Sequence, residues 1–301
     1  MPLADLNARF AIADQLKFID GPNGLIFAEI DNPLGTAYLC LQGAHITTFR
    51  PKDQVEPVIW VSKFAKFALG KSIRGGAPVC WPWFGAHASE ASFPGHGFAR
   101  TVMWEVMQSA ALPSGETEIT LALLDNDQTR SQWPHKTHVE LNVIVGHSLK
   151  ASLNTTNLGD TPVQIGEALH TYLQISDIEA VQVTGLENTN YLDKVGEATR
   201  RTQSGAITFS GEVDRVYVDT ETTCYIVDPA YERRIKIAKT GSRSTVVWTP
   251  WEEKADKMGD FGPDGWRQMV CVESVNALEN VVTVAVGETH RMTVEYSAEA
   301  L

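Results

Sequence analysis

Closely spaced cysteines are missing from this chain: Cys40, Cys80, Cys224 and Cys271 are far apart and form no C-x-x-C pair. That spacing argues against a disulfide framework, so four reduced thiols are expected. Cys80 and Cys271 lie within apolar runs, where packing is the ordinary role of a cysteine. No apolar run approaches the length of a membrane span. The start, MPLADLNARFAIADQLKF, carries Asp5, Arg9 and Asp14 where a secretory signal would have a basic start and an unbroken apolar stretch. Basic excess is lacking too, since 25 Lys and Arg face 37 Asp and Glu for a formal net charge of -12. A general affinity for nucleic acid or an anionic membrane is unexpected at that charge. Low-complexity tracts, linkers and fixed-period repeats are also absent. These absences point to a cytoplasmic protein forming a single domain over 1–301, a monomer or weak dimer whose partner is a small molecule.

What is present is β-structure. Residues 1–20 read as an N-terminal extension with a short amphipathic helix. Beyond them, segments of strand length rich in β-branched and aromatic residues recur at 25–30, 36–42, 118–124, 139–145, 150–156, 163–175, 206–210, 223–227, 234–239, 244–249, 268–275, 281–286 and 291–296. No helix-length periodic segments alternate with them, which disfavours a parallel α/β sheet. The expected fold is all-β and mainly antiparallel, a large sandwich with a few short helices.

One segment stands apart in charge. Between 61 and 104 the cations Lys63, Lys66, Lys71, Arg74 and Arg100 face Glu90 alone, a basic patch in an acidic chain that suits a small anionic ligand. Gly70-Lys71-Ser72 resembles the end of a phosphate-binding loop, but position 65 is alanine where that motif requires glycine. His135 and His138 lack a third ligand at metal spacing, and on a strand they would face opposite ways. Arg74 precedes Gly75-Gly76, and Arg100 closes the run Gly95-His96-Gly97-Phe98-Ala99-Arg100. Guanidinium forks in such surroundings fit phosphate or carboxylate oxygens.

Two further residues carry chemistry. In VQIGEALHTYLQI the period-2 face holding His170 runs Gly166, Ala168, His170, Tyr172, and small neighbours leave room for a ligand. In MVCVESVNA, Glu273 stands among Val270, Cys271, Val272 and Val275, where an ionised carboxylate is costly unless paired. Either could instead be structural: a half-exposed strand histidine, and an ion pair inside the sandwich.

Five segments in order, SIRGGAPVCWPWFG (72–85), PGHGFAR (94–100), LNTTNLGDTPVQIGEALHTYLQISDI (153–178), EVDRVYVD (212–219) and VVWTPWEEKADKMGDFGPDGWRQMVCVES (246–274), together resemble the aldose 1-epimerase, or galactose mutarotase-like, superfamily and its hexose-6-phosphate mutarotase branch. The resemblance implies a galactose mutarotase-like β-supersandwich that interconverts the α and β anomers of a phosphorylated hexose without cofactor or metal. By position, His170 and Glu273 match the catalytic histidine and glutamate, and Arg74, His96, Arg100 and Asp214 match substrate-binding residues. Gly95 stands where some relatives have glutamine, which removes one side-chain contact. Anomer exchange needs a base for the C1 hydroxyl and an acid for the ring oxygen. An ionised Glu273 would supply the base, and His170 the acid once a nearby carboxylate favours its charged form. Two alternatives stay open, an epimerase for unphosphorylated aldoses and a non-catalytic sugar-phosphate-binding module.

Overall fold

Burial in Thr137–Val145 and Leu149–Asn157 alternates along each strand, as it must when one face packs on a core and the other meets solvent. In the computed structural model, which describes residues 1–301, these strands lie in an eight-stranded sheet. Leu149–Asn157 pairs antiparallel with Thr289–Ala300, which pairs in turn with Arg233–Thr240. A second eight-stranded sheet centres on Ser244–Thr249 and Met269–Asn276. Both of those strands are buried along their whole length, which places protein on both of their faces. Met269–Asn276 is flanked on one side by Ser244–Thr249 and on the other by the short strands Glu167–Leu169 and Tyr172–Gln174. A four-stranded meander from Leu16–Asp20 to His45–Pro51 completes the layers, and one continuous cluster of 67 buried residues runs through them. The expected large antiparallel sandwich is therefore present.

Helices are few. Leu3–Phe10 forms the anticipated amphipathic helix, with Leu6 and Phe10 turned inward. Asp127–Gln132 and Trp251–Met258 were not foreseen. The second of these ends on Gly259, whose φ of 70° gives the left-handed cap that glycine adopts without strain. All four cysteines are buried and unpaired. No helix is long and apolar enough to cross a membrane.

Two strand expectations need correction. Segment 206–210 forms only an isolated bridge between Ile207 and Val183. The run 163–175 is three short strands, Val163–Ile165, Glu167–Leu169 and Tyr172–Gln174, with His170 and Thr171 between the last two. The breaks come from changes of partner. Val163–Ile165 pairs with Val282–Val284 in a separate ribbon, whereas Gly166 donates its N–H to Pro82 and His170 donates to Pro78. Gly166 does not leave space for a ligand either. A Cβ there would lie 3.0 Å from the Phe84 nitrogen, so the missing side chain admits the Trp83–Phe84 backbone instead.

Candidate active site

Glu273 is fixed by its strand. Its backbone pairs with Val246, and its side chain is 1% exposed. Burial pushes its carboxyl well above the ordinary range, Asp214 adds to the rise, and Lys194 and Arg100 oppose it. His170 arrives from the adjoining segment, because Leu169 pairs with Ser274 and so brings the next residue beside Glu273. Nε2 of His170 lies 3.4 Å from Oε1 of Glu273. The imidazole stacks on Tyr172 at 5.1 Å and 15° and meets Trp248 edge to face. Burial pushes its pKa well below 6.5, helped by His96, Arg100 and Arg74. Nδ1 of His170 and Oε2 of Glu273 are both buried without a partner.

The glycine-rich loop supplies the other wall. Gly76, at φ 71°, passes so close to the preceding strand that a Cβ would lie 2.4 Å from the Ile46 oxygen. That approach carries Arg74 to the cavity. Its Nε donates to Asp260 at 2.9 Å, one terminal nitrogen donates to the Tyr172 hydroxyl at 2.8 Å, and the guanidinium covers the Phe261 ring. Arg100 donates to the Gly95 carbonyl at 2.8 Å and pairs with no carboxylate. The backbone oxygen of Gly95 thus takes part even though its side chain is absent. His96 sits at a left-handed φ of 66° with its ring 5.7 Å from that of His170. Burial and then the charges of Arg100 and Lys194 push the His96 pKa down to about 3. Asp214 projects from Val213–Tyr217, 4.0 Å from Lys194, and burial raises its carboxyl despite that cation.

All six residues singled out in the sequence, Arg74, His96, Arg100, His170, Asp214 and Glu273, line one cavity of about 310 Å³. A larger hollow of about 470 Å³ beside Ala11–Lys17 brings together no histidine or arginine.

Sequence reasoning missed other lining residues. Lys194 and Lys254 line the cavity, while Lys63, Lys66 and Lys71 of the basic patch are exposed elsewhere. The cation supply is therefore assembled from distant segments and only partly from the patch. Lys254, from the unforeseen helix, is neutralised by Glu212, as Arg74 is by Asp260, which leaves Arg100 as the cation without a counter-charge. The protonation expectation also changes. An ionised Glu273 and a charged His170 are each disfavoured in the empty cavity, because burial penalises both charged forms.

A metal is poorly matched to these groups. Ligand atoms of His170, Cys271 and Glu273 lie within 4.8 Å of one another. Burial holds the Cys271 thiol well above its usual pKa, however, and Arg74, Arg100 and Lys194 face the same space. An anion suits that field better than a cation.

The family model described as aldose 1-epimerase matches residues 28–297. Two relatives share the description "putative glucose-6-phosphate 1-epimerase". One, from Escherichia coli K12, is 35% identical over 251 residues, which is 83% of either chain. The other, from Cenchrus ciliaris, is 34% identical over 271 residues, 87% of this chain and 81% of its own. The crystal structure of YeaD from Salmonella typhimurium, described as a "putative mutarotase", superposes with a TM-score of 0.89 at 29% identity and covers 99% of both chains.

Proposed function

The chain belongs to the aldose 1-epimerase family, and we propose that this isomerase interconverts the α and β anomers of a hexose 6-phosphate, with His170 and Glu273 as its acid and base. The observation that carries the reading is the pair itself: an imidazole and a carboxyl 3.4 Å apart, each with a buried unpaired polar atom, in a cavity whose unpaired cation is Arg100. A binding module needs no such pair.

Ring opening takes the proton from the C1 hydroxyl, breaks the C1–O5 bond with its electron pair moving to O5, and puts a proton on O5. Glu273 takes the first proton and His170 gives the second. Rotation about C1–C2 and reclosure with the roles reversed invert the anomeric centre. The charged forms this needs are one proton transfer away from the neutral pair that burial favours. Substrate supplies the bias chiefly at Arg74, because a phosphate dianion held by Arg74 and Arg100 screens cations that depress the His170 pKa, and of the two only Arg100 also favours the ionised Glu273. Phosphate binding thereby favours the imidazolium as well as orienting C1. His96 and Asp214 hold sugar hydroxyls, His96 as a neutral ring.

The continuous core supports one folding unit over 1–301, and the four buried, unpaired thiols are in keeping with a reducing cytoplasm. The reading is tested by NMR exchange between the anomers of glucose 6-phosphate. Catalytic amounts of protein accelerate the exchange, and glucose itself is accelerated less. An exchange rate equal to the buffer background refutes it.

A further inference from the structure

Behind the catalytic pair lies a second buried polar cluster that the chemistry above does not use. Glu167 is 0% exposed, and its Oε1 accepts from Asn276 Nδ2 at 2.9 Å and contacts His290 Nε2 at 2.8 Å. The amide of Asn276 also donates to the Gly241 carbonyl at 2.8 Å, and its oxygen accepts from the Arg243 N–H at 2.9 Å. One small group of side chains therefore ties together two strands of one sheet, a strand of the other, and the turn after Arg233–Thr240. A buried carboxyl needs such partners to offset its desolvation, and here Oε1 has them while Oε2 is buried without one.

Position gives the cluster its meaning. Glu167 pairs in register with Asn276, and the same ladder continues through Ala168 and Val275 to Leu169 and Ser274. The next residue on each side is His170 and Glu273. Each member of the catalytic pair thus stands three residues from a member of the cluster. A second tie lies just beyond, where Thr171 Oγ1 and the Tyr296 hydroxyl are 2.6 Å apart and fully buried. His290 and Tyr296 both belong to Thr289–Ala300 of the other sheet. One strand therefore grips the segment 167–171 on both sides of His170, where that segment has left the regular ladder.

We propose that Glu167, with Asn276 and His290, and Tyr296, with Thr171, are positioning residues that set His170 at its working distance from Glu273. None of them lines the substrate cavity, so their effect reaches the substrate only through the catalytic pair. A short, interrupted strand needs such external ties, since three residues of ladder fix a side chain loosely. The proposal rests on the mutarotase reading for its kinetic arm.

Its test uses Glu167→Ala, Glu167→Gln and Tyr296→Phe in the full chain. A displacement on the order of 1 Å in catalytic geometry costs about a hundredfold in rate. Glu167→Ala is accordingly expected to lower kcat by about ten- to a hundredfold, with KM for glucose 6-phosphate within twofold, because the arginine anchors are untouched. Glu167→Gln, which keeps an oxygen for Asn276 and His290, restores most of kcat. Tyr296→Phe, which leaves Thr171 bonded to the Leu169 carbonyl, lowers kcat severalfold and decides the matter if Glu167→Ala does not fold. The ring signals of His170 in ¹H–¹³C NMR give a readout independent of turnover, and they shift in both Glu167→Ala and Tyr296→Phe. Unchanged kcat together with unmoved His170 signals in a folded variant overturns the proposal, as does a rise in KM at constant kcat. If the unmodified protein fails to accelerate anomer exchange, the functional reading fails, and the NMR signals alone decide the positioning role.

Discussion

Replacing Glu273 by glutamine separates catalysis from folding more sharply than any other change. The side chain is 1% exposed, its Oε2 has no partner and its Oε1 lies 3.4 Å from His170, so an isosteric amide fits the same space. Loss of a general base typically removes a factor of about 10² to 10⁴ in rate, equivalent to about 3–5 kcal/mol of barrier. The exchange rate of glucose 6-phosphate anomers, measured by NMR, should fall by about that factor. Stability should move the other way. In the folded chain Glu273 holds its proton to a pH well above 4.5, whereas the unfolded chain releases it near that value. Stability from this group is therefore present at low pH and is lost as pH rises from about 4.5 toward the raised pKa. Glutamine has no proton to release, so the variant gains on the wild type as pH rises through that window, and urea melts at pH 4.5 and pH 7.5 read the gain. A folded Glu273→Gln chain with wild-type exchange would refute the assignment of the base. An intact rate with a stability gain would show that the carboxyl is buried for another reason.

Arg100→Ala removes the cation that lacks a counter-charge, and a charge-assisted hydrogen bond contributes about 1.5–3 kcal/mol. KM for glucose 6-phosphate should rise about ten- to a hundredfold, with glucose turnover little changed, as steady-state exchange kinetics on both sugars would report. His45 is fully buried against the Gly75 carbonyl, and burial pushes its pKa from 6.5 down to about 4. Its contribution to stability is therefore complete above pH 6.5 and is lost as pH falls toward 4, by about 3 kcal/mol. Urea melts of the wild type and His45→Gln across that range give the difference. Gly97 has φ 72°, and a Cβ would lie 1.9 Å from the Trp81 oxygen, so Gly97→Ala should cost on the order of 3 kcal/mol. Calorimetry would show the fall in Tm.

Much of this was legible in the sequence because strands announce themselves by composition and alternation, as in Thr137–Val145 and Leu149–Asn157. His170 and Glu273 drew notice for another reason, as a histidine after small residues and a carboxylate among valines, each also open to a structural reading, and only the family resemblance implied an acid and base role for them. What could not be read is partner choice. VQIGEALHTYLQI looks like one strand, yet its backbone hydrogen bonds go in turn to Val282–Val284, to Met269–Asn276, and to the loop through Pro78 and Pro82. Long-range pairing leaves no local trace. For the same reason Lys194 and Lys254 escaped notice, since neither sits in a basic cluster and only the fold brings them to Arg100. The pairing of Arg74 with Asp260 spans 186 residues and was equally invisible. The shifted acidities of His170 and Glu273 depend on burial that a sequence does not display.

The order of the sheet has a consequence for how the molecule assembles. Hairpins such as Thr137–Val145 with Leu149–Asn157 close over a three-residue turn and form early, since little chain entropy opposes them. The ladders of Glu167–Leu169 and Tyr172–Gln174 with Met269–Asn276 close over a far longer stretch of chain, and they bring His170 to Glu273. During refolding, the circular dichroism of the strands should recover before anomer exchange does. Turnover is then a clock for that long-range closure, and a chain cut between the two segments would regain activity only when both pieces dock again.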